Sequence, residues 1–320
     1  MPTPDQVTLA DVRAARERLA GVAVRTPLVR LDVPGTSGEL WLKLENLQPI
    51  GSFKLRGAAN AMLRAGRDRL GRGVYTASAG NMAQGVAWAA RHFGVPCQVV
   101  VPDTAPQTKI AAVERLGGHV IQVPYERWWQ TVVEHSYPGL DGVFVHPVSD
   151  PAVIAGNGTI GLEILEDLPD VDTVLVPFGG GGLSAGIATV IRALAPNAAV
   201  YGCEVDTAPS LSAALAAGQP TRIERTPSFV DGIGGMGVLA EMWPLVSTVL
   251  TGALVSSVAE VAGAVRLIAE RARVVAEGAG GAALAAALRH NLPGRVVCVV
   301  SGGNIDSAKL AMILEGRVPS

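Results

Sequence analysis

The chain has 320 residues, 26 Lys+Arg against 28 Asp+Glu, and a formal charge of −2. Half of it is hydrophobic (49%), enough for a sizeable core and incompatible with global disorder. The near-neutral balance without a long Lys/Arg run argues against a nucleic-acid or membrane-surface binder, and 38 Gly beside only 4% aromatics suits a tightly turned α/β enzyme.

Thr8 followed by Asp11 predicts a capped helix with Leu9, Val12 and Leu19 on one face. ELWLKLE (39–45) has strand period, and a helix is expected after Gly51 through FKLRGAANAMLRA. Short β-rich runs then alternate with helical ones. VYTA (74–77) precedes a helix from Asn81, CQVVV (97–101) one near Gln107–Leu116, and HVIQV (119–123) and VFV (143–145) continue the pattern. A second series starts with a helix over Ala152–Leu168 and the strand TVLVP (173–177), followed by a glycine loop and a helix to Leu194. The strand AVYGCEV (199–205), helical segments at 209–217, 257–272 and 278–289, and the strand RVVCVV (295–300) complete it. This alternation predicts an α/β fold with parallel sheets covered on both faces. HPVSDPA (146–152) is the best candidate boundary.

Residues 173–191 carry no charge over a membrane-spanning length, but a Pro and four glycines break any helix there, so strand, loop and helix are expected. Cys97, Cys203 and Cys298 lack metal or redox spacing and read as buried small hydrophobes, which makes a reducing cytoplasm the default. The N-terminus lacks the basic start and apolar core of a signal peptide. His92, His119, His135, His146 and His290 show no ligand spacing, so surface or core satisfaction is the reading for each, and no metal is expected.

Four loops follow predicted strands, where open α/β sheets bind ligands. Gly179, Gly180, Gly181 and Gly182, then Leu183, would let backbone N–H groups converge on an anion at a helix start. Gly180, Gly182 and Ala185 also fit a dinucleotide fingerprint, with Glu204 placed to bind a ribose, so a nicotinamide-dependent oxidoreductase stands as a rival. A second glycine match, Gly232 to Gly237, follows no convincing strand. Lys54 lies beside Phe53 just past a Gly turn and would pass for a surface lysine if it stood alone. Ser78 to Gly85 offers small residues and free N–H groups suited to a substrate carboxylate, and Ser301-Gly302-Gly303-Asn304 places a hydroxyl at a strand end.

The segments KLENLQPIGSFKLRGA, SAGNMAQGVA, DPAVIAGNGTIGLEI, VPFGGGGLSAG, EGAGGAALAA and SGGNID occur in one order. In this the chain resembles the fold-type II pyridoxal-phosphate enzymes, specifically the threonine/serine dehydratases, over most of its length. The resemblance implies a large domain from residues 1–72 and 150–320 with a smaller α/β domain, 73–149, inserted in it. It implies that Lys54 carries pyridoxal 5'-phosphate as a Schiff base and that Gly179–Gly182 with Leu183 hold its phosphate. Asn81 would bond the ring hydroxyl, Phe53 pack on the ring, and Ser301 face the pyridine nitrogen. Ser78, Ala79, Gly80, Asn81 and Met82 would hold the substrate carboxylate, with Glu277 one layer behind. The implied reaction is elimination from a 2-amino-3-hydroxy acid to a 2-oxo acid and ammonia, with Lys54 as the α-proton base.

The chain also departs from the family's pattern. Met82 stands where His is usual, and Asn157 where Gln is common. Glu204 and Ala208 match a cation site of some relatives, but Ser210 replaces its second acid. Similar serine racemases carry a Ser where this chain has Ala79, so the lyase is expected over the racemase. The chain stops soon after SGGNID, from which an unregulated, catabolic-type enzyme is expected. A cytoplasmic homo-oligomer acting on a small amino acid, without nucleic acid or membrane, completes the expectation. A non-catalytic metabolite-binding protein is the remaining alternative.

Overall fold

The computed structural model describes residues 7–320. Thr8 caps helix α1 (Leu9–Leu19): its hydroxyl accepts from the Asp11 N–H while the Asp11 carboxylate accepts the Thr8 N–H. A hairpin of β1 (Leu28–Leu31) and β2 (Gly38–Leu44) follows, then α2 (Lys54–Ala65) and the single turn α3 (Arg67–Leu70). Next come β3 (Val74–Ala77), α4 (Asn81–Phe93), β4 (Cys97–Pro102), α5 (Gln107–Arg115), β5 (His119–Val123), α6 (Tyr125–Glu134) and β6 (Val143–Phe144). The second series comprises α7 (Pro151–Asp167), β7 (Thr173–Pro177), α8 (Gly182–Leu194), β8 (Ala199–Val205), α9 (Ser210–Ala217), α10 (Trp243–Val249) and β9 (Gly252–Ser256). It ends with α11 (Val258–Leu267), α12 (Gly278–His290), β10 (Gly294–Val300) and α13 (Ser307–Leu314).

The strands form two sheets. A six-stranded sheet has the order β1-β2-β10-β7-β8-β9, and a four-stranded parallel sheet the order β5-β4-β3-β6. In the larger sheet every pairing is parallel except β1 with β2. That pair, whose first strand the sequence reading did not pick out, reverses because residues 32–37 are too few for a crossover, which takes about a dozen residues or more. Buried on both faces, β7 and the end of β10 are continuous apolar runs and not alternating ones.

Helices α1, α7 and α8 cover one face of the large sheet, and α11 and α12 the other. A third core lies against the small sheet, where Ala58, Ala59 and Met62 of α2 meet Met82, Val86 and Ala90 of α4. Helix α2 also packs along α7, so it stands between the two sheets with Lys54 at its first position. The helix expected over 257–272 ends as an α-helix at Leu267 and closes with a π-turn, Ile268–Ala272, before Arg273 takes a left-handed φ of 60°. Among the described residues no helix is long and apolar enough to cross a membrane.

Candidate active site

Helix N-termini need acceptors for their first N–H groups. Several helix starts among the described residues have no side-chain cap, and those of α8, α4 and α12 are three of them. Gly181 precedes α8, Gly80 precedes α4 and Glu277 precedes α12; the two glycines have no side chain to accept a hydrogen bond from the first N–H groups, and the Glu277 side chain accepts none from them. At α8 the start is also buried, which leaves it suited to an anion. From Gly180 to Gly182 the loop before it has no room for side chains. A Cβ on Gly180 would lie 2.6 Å from the Val148 side chain, and one on Gly182 would lie 2.6 Å from the Val148 carbonyl. Gly181 has φ +93°, which favours glycine. Asn157 supports the loop from below, its Nδ2 donating to the Gly182 carbonyl at 3.3 Å. Leu183 is packed into the large-sheet core and adds only backbone to the loop's open side.

Lys54 begins α2, with its Nζ donating to the Pro147 carbonyl at 2.9 Å and lying 5.1 Å from the centre of the Phe53 ring. The residue is partly open on its surface, but its amine end is packed inside. Loss of hydration pulls its pKa down to about 8, against the opposing pull of Glu277. A fraction of this lysine is therefore a neutral amine near pH 7, as a nucleophile or base requires.

The SGGN loop is fastened beside it. Phe53 N–H donates to the Ser301 carbonyl at 3.0 Å, and Gly303 N–H donates to the Gly51 carbonyl at 2.9 Å. Ser301 itself is buried. Asn81, the first residue of α4, donates from Nδ2 to Glu277 Oε1 at 2.8 Å, while its Oδ1 accepts from Asn304 Nδ2 at 2.8 Å. Its amide is thereby pinned, with one Nδ2 hydrogen left to donate. Ser78, Ala79 and Gly80 line the same edge half-buried. The Met82 side chain is turned into the small-sheet core, so this position adds backbone and no flexible apolar wall.

Glu277 connects these parts. Burial and the nearby Asp231 raise its pKa to about 7, while the Asn81 hydrogen bond and Lys109 oppose them. Between about pH 4.5 and about 7 the folded chain thus holds a proton that the unfolded chain has released, so this group's contribution to stability falls as pH rises through that window. Glu277→Gln is expected to remove that part of the slope. Denaturant melts of both proteins at about pH 5 and about pH 8 check it, and a wild-type and variant difference independent of pH would contradict it. A second contact ties the two sheets' surroundings together nearby, Lys109 Nζ on α5 pairing with Asp231 Oδ2 at 2.7 Å.

The structure therefore gathers Lys54, Phe53, Asn81, Glu277, Ser301 and the strand-end loops, which are remote in sequence. It also shows residues that sequence reasoning passed over: the Pro147 carbonyl, Lys109 and Asp231. Backbone carbonyls carry no sequence signal, and the ion pair has no local spacing to betray it. Glu204, the proposed ribose acid, is committed elsewhere. Its buried carboxylate accepts from the N–H groups of Leu211 at 2.6 Å and Ser212 at 2.9 Å, closing the start of α9. That removes the support for the dinucleotide reading and also occupies the acid of the suspected cation site.

Comparison with known proteins agrees with this geometry. The L-threonine ammonia-lyase of Thermotoga maritima is 43% identical over 322 residues, covering 98% of this chain and 80% of that protein. The processed form of threonine deaminase isoform 2 from Solanum lycopersicum superposes with a TM-score of 0.88 at 33% identity, covering 96% of this chain and 86% of that one. Maize serine racemase gives a TM-score of 0.86 at 30% identity over 97% of both chains. The family model described as "Pyridoxal-phosphate dependent enzyme" matches residues 20–302, from the end of α1 to the SGGN loop, and the chain belongs to that family.

Proposed function

We propose that this chain is an ammonia-lyase that converts a 2-amino-3-hydroxy acid, L-threonine or L-serine first, to a 2-oxo acid and ammonia. The observation that carries the reading is Lys54, a buried amine with pKa about 8, set among uncapped helix starts that suit a phosphate and a carboxylate. The residues fit the cofactor, because the crowded glycine loop with its uncapped helix start leaves backbone donors and no side chain where an anion would lie. Gly179–Gly182 and the Leu183 backbone would hold the phosphate, Asn81 the ring oxygen, Phe53 the ring, and Ser301 the ring nitrogen. Bound pyridoxal phosphate supplies an electron sink beside the substrate's amino group.

The chain's own groups do the rest. The N–H groups from Ser78 to Met82 hold the substrate carboxylate and orient the Cα–H bond. Neutral Lys54 Nζ takes that α-proton, the β-hydroxyl leaves with a proton as water, and the enamine that remains is hydrolysed by water to the 2-oxo acid and ammonia. Ser301 would offer the ring nitrogen a neutral hydroxyl in place of an aspartate's charge, which would favour loss of the β-group over return of the α-proton. The test is direct. The purified protein should be yellow, borohydride should fix the label on Lys54, and L-threonine or L-serine should release 2-oxo acid. A colourless protein that fails to take up pyridoxal phosphate would sink the reading.

Structural likeness to a serine racemase makes racemisation the second reading. Inversion needs an acid–base group on the ring face opposite the lysine. Ala79, at the second position of the SAGN loop, has only a methyl to offer. Chiral chromatography of partly consumed L-serine is therefore expected to show oxo acid with little D-serine. D-serine formed as fast as oxo acid would overturn this, and Ala79→Ser is expected to introduce racemisation.

A smaller domain over 73–149, inserted in a large one from 1–72 and 150–320, belongs to the same proposal. It is supported by the small sheet's being built wholly from residues 74–144, and movement of that unit would close the site over substrate. Three free, buried cysteines suit the cytoplasm. A homo-oligomer is proposed from the resemblance to the family alone.

A further inference from the structure

The segment 146–149 lies between β6 and α7 and touches both halves of the cofactor cradle. The Pro147 carbonyl accepts from Lys54 Nζ, and Val148 packs where side chains on Gly180 and Gly182 would otherwise be. Proline supplies no N–H of its own to fix this turn. The turn is held instead by a buried imidazole. His146 Nδ1 accepts from the Ser149 N–H at 2.7 Å and the Val148 N–H at 3.2 Å, with the Ser149 hydroxyl also at 2.7 Å.

Two backbone donors on one nitrogen fix the tautomer. Nδ1 is bare, and the proton of the neutral ring sits on the buried Nε2. Burial foremost, with Coulombic contributions from His135 and Lys54 and against a backbone hydrogen bond with Val132, pushes the His146 pKa down to about 3, so the ring keeps its bare Nδ1 across the physiological range. The same tautomer argues against a cation at the cluster His135, His146 and Glu241. One nitrogen of His146 is consumed by the turn and the other is protonated, while the ring stacks on His135 with centroids 4.4 Å apart.

We propose that His146 is a positioning residue whose Nδ1 shapes the 146–149 turn, so that Pro147 holds the lysine amine and Val148 seats the glycine loop. It touches neither substrate nor cofactor; it acts by setting the lysine and the phosphate loop at a fixed spacing. The inference rests on the reading that Lys54 carries the cofactor.

The test compares three variants of the full chain loaded with pyridoxal phosphate. In His146→Asn, Oδ1 takes the place of Nδ1 as the acceptor. His146→Gln moves the acceptor one carbon outward, and His146→Leu fills the space without one. The readouts are the rate of cofactor release from the holoenzyme, followed by loss of visible absorbance, and the melting temperature of the cofactor-free chain. Leaving two buried N–H groups unpaired is expected to speed release about tenfold or more in the Leu and Gln variants, with Asn staying within about threefold of wild type. If Leu does not fold, the Asn and Gln pair decides the question. Wild-type release rates in Gln and Leu would overturn the proposal. Equal impairment in all three would also overturn it, because His146 would then serve only as packing. Borohydride labelling of the wild type separates the two readings: absence of label on Lys54 removes the site assignment itself, whereas label on Lys54 with unaffected variants removes only the role of His146.

Discussion

A Lys54→Ala chain is expected to lose turnover by far more than the ~10²–10⁴-fold that follows removal of one acid–base group. On the proposed reading two roles fall to this single amine, covalent attachment of the cofactor and removal of the α-proton. The fold should survive. The Lys54 side chain donates one hydrogen bond, to Pro147, and burying its amine is unfavourable enough to lower its pKa to about 8. Alanine is also a good residue for the first turn of α2. The variant should therefore melt at or slightly above the wild-type temperature while borohydride fixes no label. Near-normal activity in that background would refute the site, and a large loss of stability would show that Lys54 holds the fold and not the chemistry.

Two residues further along α2, Arg56→Met is expected to damage the fold itself. Arg56 is 2% exposed and sits in a buried network of four charges. Its Nε and Nη2 donate to Glu45, its Nη1 donates to Glu163 Oε1 at 2.6 Å and to Thr159, and Glu163 Oε2 accepts from Lys43 Nζ at 2.6 Å. Burial pushes the Glu45 carboxyl up, yet Arg56 beside it holds it below the usual range. The network joins β2, α2 and α7 behind the lysine. Removing the arginine leaves two buried carboxylates facing one lysine, and breaking such a pair costs about 3–5 kcal/mol. At about 2 °C per kcal/mol for a large domain, the melting temperature should fall by roughly 6–10 °C. Arg56→Lys should recover little, since an ammonium cannot span both carboxylates as the guanidinium fork does. A calorimetric shift under about 2 °C for Arg56→Met would show that water enters and screens the charges.

Much of the fold was legible in the sequence because it is local. β3, β5, β7 and β8 fall on the residues that strand period and apolar runs pick out, and the Thr8–Asp11 capping box is written in two residues three apart. The glycine loop was legible for the same reason: four successive residues without side chains admit few uses other than close backbone approach. What escaped the sequence was set by distant contacts. The strand β1 is short and pairs only because a six-residue loop returns the chain onto β2. Glu204 looked free at a strand end and is consumed by α9, while Met82 looked like part of the site wall and is buried against α2. His146 looked like any satisfied histidine, yet the turn it organises faces both Lys54 and the glycine loop. Such assignments depend on which backbone N–H or carbonyl lies within about 3 Å, and hydrogen bonds of that length are made by tertiary packing, not by residue type or spacing along the chain.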